Sequence, residues 1–237
     1  FREVKDFPSR DDDLQGLPLH QWGNWLFTSL GKKPEAKFFR QMMQRMEWLP
    51  VQDFVYRPDL TKEYMVNAHW ALYCENYLEG FHIPFVHSDL NAVIDYGNYS
   101  TELFPFSNLQ LGIGKGNEDC FEIPVSSPDH GKKVAAYYFW VFPNMMFNFY
   151  PWGLSLNIVV PISPVQSKIC FYSYVWKEEK LHFGAGASLD KVELEDEEIV
   201  QQVQHGIRSR FYDRGRYSVT REKGIHHFHR LISRFMN

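Results

Sequence analysis

The chain has 237 residues, 44% of them hydrophobic, which is enough for one sizeable core and too short for two comfortable domains once loops are counted. With 25 basic against 29 acidic residues it carries neither a nucleic-acid footprint nor a polybasic membrane surface, so the expected partner is a small molecule. Cys74, Cys120 and Cys170 are odd in number, far apart and never in a C-x-x-C pair, which argues against a disulfide framework or a cysteine-based zinc site and predicts a reducing, cytoplasmic setting.

In chain order, Asp11 to Asp13 read as a solvated loop, and residues 16 to 30, with Leu17, Leu19, Trp22, Trp25 and Phe27, as two short strands of a small β unit. Helix formers over 36 to 47 predict a short helix ahead of Leu49-Pro50. Glu63 to Val66 reads as a strand. It leads into a stronger helix from Ala68 to Ile83, carried by Ala71, Leu72, Tyr77, Leu78 and Phe81 and ended by Pro84, which lacks an amide hydrogen.

Residues 108 to 183 alternate β-rich runs with turn signals at 112–117, 126–131, 143–144, 151–153 and 161–164, the pattern of a meandering antiparallel sheet. Gly112-x-Gly114-x-Gly116 reads as a hairpin turn rather than a nucleotide loop, because no helix with a phosphate-facing start follows it. After Gly184, an acidic opening from Glu193 to Glu198 leads into a long helix to about Phe211, and a final helix follows from about His226. Helix, then sheet, then segregated helices is an α+β layout. No repeat and no leader peptide is visible, and the longest apolar run is broken by Pro143, Asn144, Asn148 and Pro151, so no membrane span is expected.

Aromatic residues make up 17% of the chain and concentrate between 137 and 152, where alternation on strands would turn about half of them inward. Composition favours a plain core. Some of that wall would also suit a pocket, either for an aromatic substrate or as a cage for a quaternary ammonium group.

The densest set of metal-ligating residues lies between Glu75 and His87. Glu79 and His82, three apart, would share a helix face, whereas His82 and His87, five apart, would point about 140° away from each other on an unbroken helix. A break at Pro84 would let the chain turn and bring His87 back beside His82. Two neutral imidazoles leave a divalent metal underligated, so a carboxylate is needed from elsewhere. Asp196 qualifies, because Ile199, Val200, Val203 and Ile207 place it on the apolar face of its helix, while Glu193, Glu197 and Glu198 read as a solvated helix start. Two histidines and one carboxylate leave open positions for dioxygen and substrate, as in non-haem Fe(II) oxygenases. A zinc hydrolase uses such a set too, and spacing does not separate the two.

These residues resemble the catalytic domain of the α subunit of Rieske-type, aromatic-ring-hydroxylating oxygenases, including the choline and carnitine monooxygenase branch. The likeness rests on E-N-Y-L-E-G-F-H-I-P-F-V-H from Glu75 to His87, Phe142-Pro143-Asn144, Glu195-Asp196 ahead of Val203-Gln204-x-Gly206, and the tail Tyr212-Asp213-Arg214-Gly215-Arg216 with Glu222 and His227-Phe228-His229, and covers roughly residues 45 to 235. It implies a curved antiparallel sheet gripped by helices, with His82, His87 and Asp196 as iron ligands and Glu195 the runner-up for the carboxylate. Glu79 would be the acid that bridges to a cluster ligand on a neighbouring subunit, and Asn76 and Tyr77 would orient the site.

The family's [2Fe-2S] cluster is held by C-x-H and C-x-x-H in an N-terminal domain, and no such pair occurs here. Residues 1–40 are therefore expected to be the C-terminal remnant of an upstream Rieske-like β domain, ahead of an iron catalytic domain over 41–237. A first residue of Phe rather than Met fits a fragment or processed product. The expected reaction is mono- or dioxygenation of a small aromatic or quaternary-amine substrate with O2, with electrons from NAD(P)H through a ferredoxin or flavin reductase, in a homotrimer. The rival readings are a non-catalytic helix-grip ligand-binding member and a zinc-dependent hydrolase. His226, His227 and His229 read as packing residues rather than ligands, and Arg214-Gly-Arg216 as a helix-ending turn with salt bridges.

Overall fold

The computed structural model describes residues 3–30, 36–116, 118–187 and 189–236; Asn117, the end of the turn expected at 112–117, lies outside them. β1 (Leu19–Trp22) and β2 (Trp25–Thr28) pair as a two-stranded hairpin. Its turn passes through Gly23 at φ +55°, where a side chain would crowd Val51. Ahead of it, Asp11 and Asp12 lie in an exposed 3-10 turn capped by Ser9 rather than in an open loop. The helix expected over 36–47 is shorter: a 3-10 turn at Ala36–Phe38 and then α1 (Arg40–Arg45).

β3 (Val55–Tyr56) and β4 (Lys62–Val66) precede α2 (Trp70–Tyr77), α3 (Ile83–Val86) and α4 (Ser88–Val93). Five longer or central strands and one edge strand follow: β5 (Ser100–Leu103), β6 (Ser107–Ile113), β7 (Val134–Val141), β8 (Met145–Tyr150), β9 (Gly153–Ser163) and β10 (Gln166–Val175). α5 (Leu189–Gly206) and α6 (Lys223–Met236) close the chain. Among the described residues the strands from β3 onward form one antiparallel sheet in the order β3-β10-β9-β8-β7-β6-β5, with β4 also on β10. The α+β layout and the meander are as expected from the sequence. The Gly112-Gly116 segment is not a tight hairpin: Gly112 stays inside β6, and β7 begins only at Val134.

Every residue of β7 is buried, so the sheet is covered on both faces rather than showing one wet face. Because side chains alternate, adjacent positions on each strand build two different layers. Leu109, Phe139, Phe147 and Leu156 lie opposite one another across four strands. They pack with Trp22, Trp25, Phe39, Met42 and Met46 of the hairpin and α1 region. The next row, Gln110, Tyr138, Asn148 and Ser155, faces the other way. On that second face Trp140, Met146 and Ile169 pack against Cys74 of α2 and Leu78 just after it, Val200 of α5 and Phe228 of α6. Gly224 lets α6 approach the α2 terminus, since a Cβ there would overlap the Leu78 carbonyl.

The first layer also contains a buried ion cluster. Asp129, fully buried, accepts from Arg45 Nε at 2.6 Å, from Lys132 at 2.8 Å and from the Tyr137 hydroxyl at 3.2 Å. Burial pushes the Asp129 carboxyl up, and Arg45 and Lys132 more than offset that, leaving it below its ordinary value.

Candidate metal centre

The site grows from the way α2 ends. The helix stops at Tyr77, earlier than Ile83, and the chain passes through Gly80, where a Cβ would lie 2.6 Å from the Tyr99 ring. The Glu79 carboxylate folds over this exit, accepting the Phe81 amide and, at 3.2 Å, the His82 amide. Glu79 and His82 therefore meet across a turn and not along a helix face. Pro84 does not end a helix but begins one: it sits in the first turn of α3, where its missing amide hydrogen is not needed. His82 precedes that single turn and His87 follows it. The non-helical backbone of His87 (φ −107°, ψ 82°) separates α3 from α4 and turns its ring back toward His82.

The two imidazoles face each other through Nε2, 3.1 Å apart. Asp196 Oδ1, from α5, stands 3.0 Å from His87 Nε2 and 3.5 Å from His82 Nε2. Their outer nitrogens are engaged elsewhere: His82 Nδ1 with Glu79 Oε1 at 2.5 Å, and His87 Nδ1 with Glu195 Oε2 at 2.7 Å. Asn76 Nδ2 donates to Asp196 Oδ1 at 2.6 Å. His87 is 1% exposed in its side chain, His82 16% and Asp196 18%.

This arrangement fits a divalent cation on chemical grounds. A carboxylate on each Nδ1 favours the Nδ1–H tautomer, which leaves both Nε2 lone pairs and the Asp196 oxygen converging with no proton to share among them. Their mutual spacing lets one ion sit about 2 Å from all three, the usual metal–nitrogen distance. Without an ion, protons take its place. Burial opposes charge on His82, but Asp196 and Glu79 outweigh it and push the pKa to about 9. Burial raises Asp196, and the two imidazoles outweigh that and hold it at about 2. Among the described residues His82, His87 and Asp196 form the one such cluster, so His226, His227 and His229 are not part of one. His229 instead pairs with Glu75 at 2.7 Å and with the Tyr217 hydroxyl.

The last turn of α2 thus reaches in three directions: Glu75 to α6, Asn76 to Asp196 on α5, and Tyr77 to Asn148 on β8 at 2.7 Å. α5 is anchored in turn by Gln204, whose Oε1 accepts the His69 amide at 2.8 Å. α5 begins at Leu189 and ends at Gly206, so its buried face is Glu193, Asp196, Val200 and Gln204. Val203 and Ile207, expected on that face, are 44% and 36% exposed. Glu193, read from the sequence as part of a solvated helix start, is buried at 8% exposure. The segment around Arg214 to Arg216 is exposed and irregular, well after the helix end, with a long 3.7 Å Arg214–Asp213 contact.

Beside the three converging atoms lies a cavity enclosing about 810 Å³ of space between atoms, part of it open to solvent. Its floor is the second face of the sheet, with Gln110, Tyr138, Asn148, Tyr150, Ser155 and Asn157, and its wall includes Tyr73, Tyr99 and Glu193. The sequence flagged the aromatic run, but not the polar row beside it or Tyr73 and Tyr99. The alternation of Asn148, Ser155 and Asn157 within apolar strands was the available signal.

Residues 45–237 match the family model described as the ring hydroxylating alpha subunit, catalytic domain. The chain belongs to that family. A chloroplastic choline monooxygenase of Arabidopsis thaliana is 34% identical over 179 residues, 72% of this chain and 40% of that protein. The carnitine monooxygenase oxygenase subunit of Escherichia coli K12 is 27% identical over 70% of this chain and 46% of its own length. The chain spans about half the length of the relatives it matches. In fold, a solved quaternary ammonium Rieske monooxygenase superposes over the whole chain and 66% of its own with a TM-score of 0.71 at 18% identity. A naphthalene dioxygenase with bound phenanthrene does so over 91% of this chain and 63% of its own, at 0.62 and 11%. Family members share the antiparallel sheet with packed helices, and this family member has it too. No helix among its described residues is long and apolar enough to cross a membrane.

Proposed function

We propose that this chain is the oxygen-activating part of a Rieske-type non-haem iron oxygenase that hydroxylates a small quaternary-amine substrate. The observation that carries the reading is the convergence of His82 Nε2, His87 Nε2 and Asp196 Oδ1 at the mouth of a polar-floored cavity. In that reading these three hold iron, and Glu195 is the partner of His87 rather than a ligand. The quaternary-amine class rests on relatives named for choline and carnitine. Bound there, iron supplies the redox chemistry that dioxygen requires.

The protein's own residues do the rest. Glu79 and Glu195 hold the two rings by their Nδ1 protons, and Asn76 holds the Asp196 carboxylate, so the three donor atoms are set before a metal arrives. The second face of the sheet, held by its packing against α2, α5 and α6, gives the cavity a fixed floor. Glu79, already on His82, is the acid proposed to link this centre to a [2Fe-2S] cluster carried by a neighbouring subunit. The cluster domain of which residues 1–40 are the proposed end, a reductase fed by NAD(P)H, and a trimer complete the scheme. Three free thiols suit a reducing compartment, whether cytoplasm or the plastid of the plant relatives.

Metal analysis after anaerobic reconstitution tests the reading. The wild-type chain is expected to take up one iron per chain and Asp196→Ala to lose it, whereas an iron stoichiometry unchanged in that variant, or stoichiometric zinc with hydrolytic turnover, overturns it.

A further inference from the structure

We propose that Glu193 is the specificity-determining residue of the cavity: its buried carboxylate anchors the cationic head of the substrate and selects compounds that carry a positive charge and no negative one. The inference deepens the proposed function and rests on it for the position of the iron.

Three observations carry it. Glu193 lines the cavity, is 8% exposed, and its Oε1 is fully buried with no hydrogen-bond partner among the described residues. A buried carboxylate without a partner is expensive to keep, so a cation that enters the cavity offsets part of that cost by charge attraction. Second, the charged side chains lining the cavity are acids, Glu79, Glu193 and Asp196, with His82 and His87, and neither Lys nor Arg is among them. Glu79 and Asp196 are already engaged with the imidazoles, which leaves Glu193 as the lining acid with an unpartnered oxygen. Apart from the metal position itself, a substrate carboxylate would meet no Lys or Arg among the described lining residues. Third, Tyr73, Tyr99, Tyr138, Tyr150 and Phe171 share the lining, and ring faces attract a cation that their own carboxylate neighbour holds.

Placement completes the case. Glu193 and Asp196 are three residues apart on one helix, so their side chains start within about 6 Å of each other. A head group held at Glu193 therefore presents its next carbons to the converging His82, His87 and Asp196 atoms. Burial first, and then Asp196 and Glu197, push the Glu193 carboxyl well above its ordinary value. A cation beside this carboxyl favours its charged form by direct attraction, and a neutral isostere does not, which is the differential interaction that discrimination needs.

Calorimetric titration of the iron-loaded chain, held anaerobic, tests this with three probes: choline, its carbon isostere with a tert-butyl group in place of trimethylammonium, and carnitine. Wild-type protein is expected to bind choline at least about tenfold more tightly than the neutral isostere or carnitine, and Glu193→Gln to bind choline and isostere alike. A Glu193→Gln protein that keeps the preference for choline overturns the assignment to this residue. If Glu193 instead stays protonated and donates to a substrate oxygen, wild type binds carnitine or the isostere at least as well as choline, and the proposal fails without any variant. Iron content measured on the same samples separates these failures from failure of the metal site, since full iron with no cation preference sinks only the anchor.

Discussion

Two neighbouring rows of the same strands behave as different materials. Leu109, Phe139, Phe147 and Leu156 make a dry, aromatic-rich layer under the hairpin and α1 region, while one residue along each strand Gln110, Tyr138, Asn148 and Ser155 make a polar floor for the cavity. The two-residue period of the strand allows this division. One layer is packed throughout against the hairpin and α1 region, while on the other the polar row sits beside an apolar cluster that packs against α2, α5 and α6.

The contrast can be broken most strongly on the dry side. Phe147→Ala, at a fully buried position packed against Trp22 and Phe39, is expected to destabilise the chain by about 3–5 kcal/mol, read as a fall in chemical-denaturation midpoint. Asp129→Asn, which leaves Arg45 only partly compensated by Glu102, is expected to cost about 3 kcal/mol. The same pair predicts an acid limit. The folded Asp129 carboxyl lies below the unfolded value of about 3.9, so its contribution is complete above that pH and is lost as pH falls through the folded value. Wild-type denaturation midpoints should therefore drop more steeply below pH 4 than those of Asp129→Asn; parallel curves would remove Asp129 from the acid response.

Smaller effects are expected on the cavity side. Glu195→Gln, which weakens the hold on His87 Nδ1, should reduce iron affinity by about 10–100-fold without abolishing binding, measured by competition with a chelator. Complete loss of iron there would make Glu195 a ligand. Ser155→Ala removes one hydrogen bond to Asn157 and should cost no more than about 1 kcal/mol in stability. Should it match Phe147→Ala in a melting experiment, the proposed separation of the two rows is wrong.

Much of the centre was legible from the chain. The acid and the two histidines between Glu79 and His87, and an inward acid at Asp196, follow from spacing, and the structure brings those side chains together. The route differs, however. Pro84 reads as the end of a long helix because proline disrupts helix interiors, yet it starts α3; α2 already stops at Tyr77, and the chain beyond it passes Gly80 in close contact with Tyr99, a residue distant in sequence. α4 was too short and too polar to register as a periodic pattern. Glu193 reads as solvated because an acidic run resembles a helix start; the helix in fact begins at Leu189, which places Glu193 one turn before Asp196 on the buried face. The continuous burial of β7 could not be read from alternation, because nothing local reveals that helices cover one face and the hairpin the other.

The final turn of α2 has an evolutionary corollary. Glu75, Asn76 and Tyr77 are consecutive, yet each is committed to a different neighbour, so inserting or deleting one residue just upstream would rotate all three by about 100° and sever every link together. Length variation among relatives should accordingly be absent from this helix and concentrate in connections such as 118–133, where a change in length leaves those three commitments in place.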